Sequence, residues 1–154
     1  MPDGDYTALC DGEADLVFSA FTFDNVPSHE AKVRALCGIR RLLAPRGRFV
    51  NLVSSPELYT HEWASFSTKD FPENRIATSG DIVRCVNIAI EDHRPVEDVL
   101  WPDAAYADVY ESSGLEPVAT YRPLAREDEP YPWVNETRIA PWVIYVLKPA
   151  PVRP

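Results

Sequence analysis

The chain has 154 residues, with 15 lysines and arginines against 24 aspartates and glutamates, a net charge of −9 at neutral pH. That length suits one domain with its own core, and that charge excludes nucleic acid as a partner, because phosphate binding needs a basic face that releases counterions. No apolar run approaches the ~20 residues of a membrane span, and the acidic start Met1-Pro2-Asp3-Gly4-Asp5 lacks the basic and apolar regions of a signal peptide; a cytoplasmic protein with no membrane partner is expected.

Residues up to Glu13 read as loop, with Gly4-Asp5 and Asp11-Gly12 as turn signals. The apolar run Ala14 to Ala20 then predicts a strand over 15–20. It has no polar face, and strands of that kind lie inside parallel sheets with both faces covered. As the first strand of this chain it leaves one edge free, which is a site for association. Ser28 is placed to cap a helix whose apolar positions are Val33, Leu36, Cys37 and Leu43, with Arg40 joining by its aliphatic stem. Glu30, Lys32, Arg34 and Arg41 form its polar face. Ala44-Pro45-Arg46-Gly47 stops the helix in a tight turn, and Arg48 to Ser54 is a second strand. A strand, crossover helix and strand of these lengths make a parallel, right-handed unit, with ligands expected beyond the carboxyl ends of its strands, at Ser19 to Asp24 and Ser54 to Tyr59.

Ser55 and Pro56 predict a short helix over Pro56 to Ser65. Ser65 to Ser79 is irregular, as lids and binding loops are. Asp81 to Ile90 and Pro95 to Trp101 read as a hairpin-like strand pair. Asp103 is expected to cap a helix over Ala104 to Ser113, with Tyr106, Val109 and Tyr110 on one face and Gly114 as a left-handed end. Leu115 to Tyr121 is a strand, Arg122 to Pro141 a charged, proline-rich connection, and Trp142 to Leu147 the last strand. Pro149 to Pro154 is a tail too rich in proline to fold. Cys10, Cys37 and Cys85 are odd in number and far from any histidine cluster, so reduced packing cysteines are expected and no metal site.

The segment Ala14-Asp15-Leu16-Val17-Phe18-Ser19, a helix, and then Arg41-Leu42-Leu43-Ala44-Pro45-Arg46-Gly47-Arg48-Phe49-Val50 resembles the fourth and fifth strands of class I S-adenosylmethionine-dependent methyltransferases. Ser113-Gly114-Leu115 is similar to the corner that follows a later helix in that family, and the last two strands match the antiparallel pair that closes its sheet. The resemblance implies an α/β fold: part of a doubly wound, Rossmann-like sheet of parallel strands with an antiparallel C-terminal pair and helices on the faces. It covers residues 1–148 as the C-terminal portion of the domain. The family holds its cofactor with a glycine-rich loop after its first strand and an acidic residue after its second. Here the six glycines, Gly4, Gly12, Gly38, Gly47, Gly80 and Gly114, form no Gly-x-Gly pair. Either an N-terminal half lies elsewhere, or the fold is used without the cofactor.

Carried over by position, Asp5 matches the acidic residue that meets the adenine of S-adenosylmethionine, and a solvated turn aspartate fits it equally. Ser19, Ala20 and Phe21 match the strand end that flanks the cofactor, where ordinary packing is the other reading. Thr22 and Asp24 are placed to face the methyl acceptor, although Asp24 also suits capping the next turn. Methyl transfer from a sulfonium is an in-line displacement that needs alignment, exclusion of water and a place for a proton. His61, just past the second strand and with an ordinary pKa near neutrality, is the expected proton acceptor. Tyr59 and Trp63 beside it form either a wall for a small-molecule acceptor or core. Two functions follow. One is methyl transfer to a small-molecule acceptor; the other is a non-catalytic half-domain that self-associates, or pairs with a separate N-terminal half, through the Ala14–Ala20 edge.

Overall fold

The computed structural model describes residues 6–151. Strand β1 (Ala14–Ala20) runs parallel to β2 (Leu43–Ser54), with Val17 opposite Phe49 and Phe18 opposite Val50. Helix α1 (His29–Leu42) makes the crossover, and the Ser28 hydroxyl accepts the Ala31 amide at 3.2 Å as its cap. Helix α2 (Asp103–Ser112) leads through Gly114, at φ +68°, into β6 (Leu115–Tyr121) and finally β7 (Trp142–Pro149). The four strands form a mixed sheet in the order β1-β2-β7-β6, with β7 antiparallel to both its neighbours. A second sheet joins β3 (Phe66–Ser67), β4 (Ile82–Asn87) and β5 (Pro95–Val99), all antiparallel. Strand β7 runs on through Lys148 and Pro149, so the expected tail begins inside an ordered strand.

Both helices lie against one face of the larger sheet. Phe49 and Val53 of β2, with Val143, Tyr145 and Leu147 of β7, alternate toward Leu36, Ile39, Tyr106, Val109 and Tyr110. Burying each such large apolar side chain contributes about 2 kcal/mol. The opposite face carries Phe18, Val50 and Val146 side by side in register, and no helix covers it among the described residues. Leu16 and Phe18 are each 62% exposed. A strand that reads as the interior of a sheet therefore stands at its edge, half uncovered.

Several local expectations are corrected. The stretch 44–47 is not a turn between elements but a bulge within β2: Ala14 pairs with Leu43, and two residues later Leu16 pairs with Arg48. Gly47 is needed there because a Cβ would stand 2.5 Å from the Ala14 carbonyl oxygen. Ser55 stands at the N-cap with Pro56 behind it, but its hydroxyl makes no cap bond and donates instead to the Ala140 carbonyl at 2.8 Å, and the helix is one 3-10 turn, Pro56–Tyr59. Residues 65–79 hold β3 and a 3-10 turn, Pro72–Ile76, rather than irregular chain throughout. Asp103 lies within α2 behind an N-cap Pro102, and its carboxylate accepts from Tyr145 and Arg122. Cys10 and Cys37 are exposed free thiols, and only Cys85 packs. On α1 the buried line is Lys32, Leu36, Ile39 and Leu42, so Lys32 leaves the polar face and Cys37 joins it.

Candidate functional site

Beyond β1 the chain turns sharply. Phe21 sits at φ +57°, a left-handed conformation uncommon for a bulky residue. Its amide is tied to the Leu52 carbonyl at 2.8 Å, and its ring meets Trp142 edge-on at 4.9 Å. The turn swings Asp24, in the 3-10 segment Phe23–Asn25, inward against the end of β2. There its carboxylate accepts from the Ser54 amide at 3.0 Å and the Ser54 hydroxyl at 2.9 Å, with the Tyr106 hydroxyl at 3.5 Å. Burial outweighs these bonds and pushes the Asp24 carboxyl up to about 6.

Lys32 reaches the same place from α1. Fully buried, it donates to the carbonyls of Phe23 and of Val26, the latter at 2.8 Å, and stands 4.8 Å above the Trp101 ring and 5.7 Å above Tyr106. It thereby fastens the turn that carries Asp24 to the helix. Burial pulls its ammonium down to about 8, against the attraction of Asp24 and Asp98. Asp98, on β5, is also raised, by burial first, and accepts the Tyr59 hydroxyl at 2.9 Å. Between these groups lies a cleft of about 230 Å³ walled by Phe21, Phe66, Val96 and Trp142, with Asp24, Asn25, Ser54 and Asp98 as its polar lining. Cys85 also faces it, but burial pushes its thiol up to about 12, which makes it a poor nucleophile.

The expected site residues do not all converge here. Phe21 and Asp24 line the cleft, whereas Ser19, Ala20 and Thr22 line a groove along the β1 edge. His61 and Tyr59 line a different depression, of about 510 Å³, with Glu62, Lys69 and Arg75. The His61 Nδ1 lies 3.1 Å from the Glu57 carbonyl and 3.0 Å from the Thr60 hydroxyl. Tyr59 is buried with its hydroxyl turned to Asp98. Trp63 is 2% exposed in the core beneath the smaller sheet and donates its indole N–H to Leu58 at 2.8 Å. Asp5 lies outside the described residues. Lys32 and Asp98 were not expected. Lys32 stands four residues before Leu36 and seven before Ile39, on the apolar stripe, and Asp98 alternates with Val96 and Leu100 on a strand; a lone charge at the buried period was the available signal for each.

Among the described residues no group of three or more His, Cys, Asp or Glu is arranged to hold a metal, and no helix is long and apolar enough to cross a membrane. No family model matches the sequence, and no curated protein matches it. Solved structures do match. A protein from Listeria monocytogenes described as an S-adenosylmethionine-dependent methyltransferase superimposes with TM-score 0.67 at 14% identity, over 96% of this chain and 66% of that one. A SAM-dependent methyltransferase from Methanosarcina mazei gives 0.57 at 12% identity, over 94% and 63%. The CcbJ methyltransferase from Streptomyces caelestis gives 0.55 at 16% identity, over 90% and 58%. The chain thus has the class I methyltransferase fold, and it spans 58 to 66% of the length of these relatives in structure.

The Ser19 hydroxyl is buried without a hydrogen-bond partner beside the β1 groove, a polar atom of the kind a ligand there would satisfy. The six glycines form no Gly-x-Gly pair that would let backbone close around a ligand, and the groove is lined mainly by apolar side chains of β1 and α1. These residues alone do not fit the cofactor.

Proposed function

We propose that this chain is the acceptor side of an S-adenosylmethionine-dependent methyltransferase acting on a small molecule, with the cofactor held mainly by residues outside it. The observation that carries the reading is the Asp24 cleft at the carboxyl ends of β1 and β2, the position where open α/β sheets take ligands. Fold-level likeness to methyltransferases favours the chemistry without assigning it. In this reading Phe21, Phe66 and Trp142 exclude water from the acceptor, Ser54 orients Asp24, and the Asp24 carboxylate, near 6, is able to hold a proton. His61 opens on the neighbouring depression and is assigned no proton here, a change from the expectation drawn from its position in the sequence.

The uncovered face with Phe18, Val50 and Val146, and the free edge with Leu16, favour a partner: a separate N-terminal half, or a second copy of this chain. The test is calorimetric titration of S-adenosylhomocysteine into this chain, and into the chain extended by the coding sequence that precedes Met1. No saturable heat is expected from the first, and about micromolar binding from the second. Micromolar binding to the chain alone would overturn the division of labour. An extended form that neither binds the cofactor nor transfers methyl would leave the non-catalytic reading, in which Leu16→Lys with Phe18→Lys abolishes self-association in sedimentation.

A further inference from the structure

We infer that the Asp24 cleft takes a cationic amine carried on an aryl or short alkyl group. As a methyl acceptor the bound ammonium would first give one proton to the Asp24 carboxylate, and the freed nitrogen lone pair would then form the new N–C bond as the donor's S–C bond breaks and its sulfur leaves as a thioether. As a statement about the acceptor it rests on the methyl-transfer reading; as a statement about binding it stands alone.

The argument is one of charge and cover. Asp24 is 4% exposed and Asp98 is 7% exposed, and both face the same small cleft. Lys32 is the one cation among the described residues that acts on either carboxylate. Its N–H groups already serve the carbonyls of Phe23 and Val26, and its charge lies over Trp101 and Tyr106 rather than in the cleft. With both carboxylates ionised the cleft is one positive charge short, a buried charge without a partner is costly, and the deficit is made up either by a proton, toward which burial has shifted both groups, or by a bound cation. Asp98 has room for one. Tyr59 occupies its Oδ2, and its Oδ1 accepts no hydrogen bond among the described residues. No basic side chain lines the cleft.

The walls specify the rest of the ligand. Phe21 and Phe66 each stand edge-on to Trp142, at 4.9 Å and 5.8 Å between ring centres, and the three rings give the cleft an apolar lining of the kind that attracts a cation. A hydroxyl compound of the same shape would fill the cleft and leave the carboxylates uncompensated. A ligand carboxylate would be repelled by both. The cleft thus selects for ammonium over neutral and anionic isosteres, which is the discrimination expected where a site's buried polar groups need a particular partner.

Direct binding tests this with no methyl donor present. 2-Phenylethylamine, 2-phenylethanol and 3-phenylpropionate are titrated into the chain by calorimetry at about pH 7.5, where Asp24 is ionised. The amine is expected to bind at least about tenfold tighter than the alcohol, and the carboxylate not at all. Asp98→Asn is expected to remove that preference and leave alcohol binding unchanged. Val96→Trp, at a position 43% exposed on the rim, is expected to block all three without entering the core. Equal or tighter binding of the alcohol overturns the inference, as does no saturable amine binding up to about 10 mM. Undiminished amine binding in Val96→Trp also overturns it, and that variant decides the matter if Asp98→Asn does not fold. Failure here leaves cofactor binding and methyl transfer untouched; failure of the cofactor titration leaves the amine site untouched.

Discussion

Two depressions meet at the 3-10 turn Pro56–Tyr59 and differ in nearly every respect. Leu58 faces the smaller one, with its aromatic walls and buried carboxylates; Tyr59, two-sided, faces the larger one and sends its hydroxyl back to Asp98. The larger holds the histidine expected to act, along with Glu62, Lys69 and Arg75, all in reach of solvent. The smaller is the one lined by two buried carboxylates that burial shifts toward the protonated form. The carboxylate of the larger, Glu62, is held below its ordinary range, its desolvation outweighed by its hydrogen bonds. Displacement of that kind marks functional sites because burial makes a charge costly unless something requires it. A histidine at the right place in the sequence is therefore a weaker pointer than an aspartate at the right depth.

The contrast can be broken by substitution, beginning where the effect is greatest. Lys32→Met removes the clamp on Phe23 and Val26 and the cation near both aspartates, and is expected to cost about 3 kcal/mol at neutral pH in denaturant unfolding. It also raises the Asp24 pKa above about 6, because Lys32 is one of the groups holding it down. An unchanged Asp24 titration in that variant contradicts the proposed coupling.

The pH dependence of Asp24 comes next. Its folded value, near 6, lies above the ordinary aspartate value, so the folded chain binds this proton more tightly than the unfolded chain does. Its ionisation costs stability above about 6, and the cost fades as pH falls from 6 toward 4. Between about pH 7 and about pH 4.5, wild type should gain about 2 kcal/mol relative to Asp24→Asn in paired melts. A constant difference between the two proteins would show that Asp24 is not buried as described. Tyr59→Phe is expected to cost about 1 kcal/mol and to raise Asp98 further, since the Tyr59 hydroxyl lowers it. His61→Gln, in the larger depression, is expected to stay within about 0.5 kcal/mol of wild type; a larger loss would give that depression a structural importance the contrast denies it.

The sequence carried the framework of the fold well. The parallel β1–α1–β2 unit, the Ser28 cap, Gly114 and the full extent of β6 all depend on local signals: a capping hydroxyl, a left-handed glycine and runs of strand formers. Val17 beside Phe49 is the parallel pairing that a strand, crossover helix and strand of these lengths make. What stayed hidden depended on distant partners. Lys32 shares the helical stripe of Leu36 and Ile39, but its charge points to solvent until Trp101 and Tyr106, some seventy residues on, are seen to lie beneath its ammonium. Asp98 sits in a strand that packs beside the 3-10 segment Phe23–Asn25, a neighbour more than seventy residues away in sequence. His61 and Leu58 are three residues apart, yet the short 3-10 turn sends them to opposite sides. Cys37 fitted the helical period as well as Leu36 did; which edge of the stripe meets α2 was decided by α2.

The central claim is that the Asp24 cleft, and not the His61 depression, receives the acceptor. It is tested most directly by carbon-13 and nitrogen-15 NMR of the chain during addition of 2-phenylethylamine, following the side-chain signals of Asp24, Asp98, Trp142 and His61. The account predicts that the two carboxyl carbons and the Trp142 indole shift together and saturate while the His61 ring stays still. Movement of His61 with Asp24 and Trp142 unmoved would contradict it.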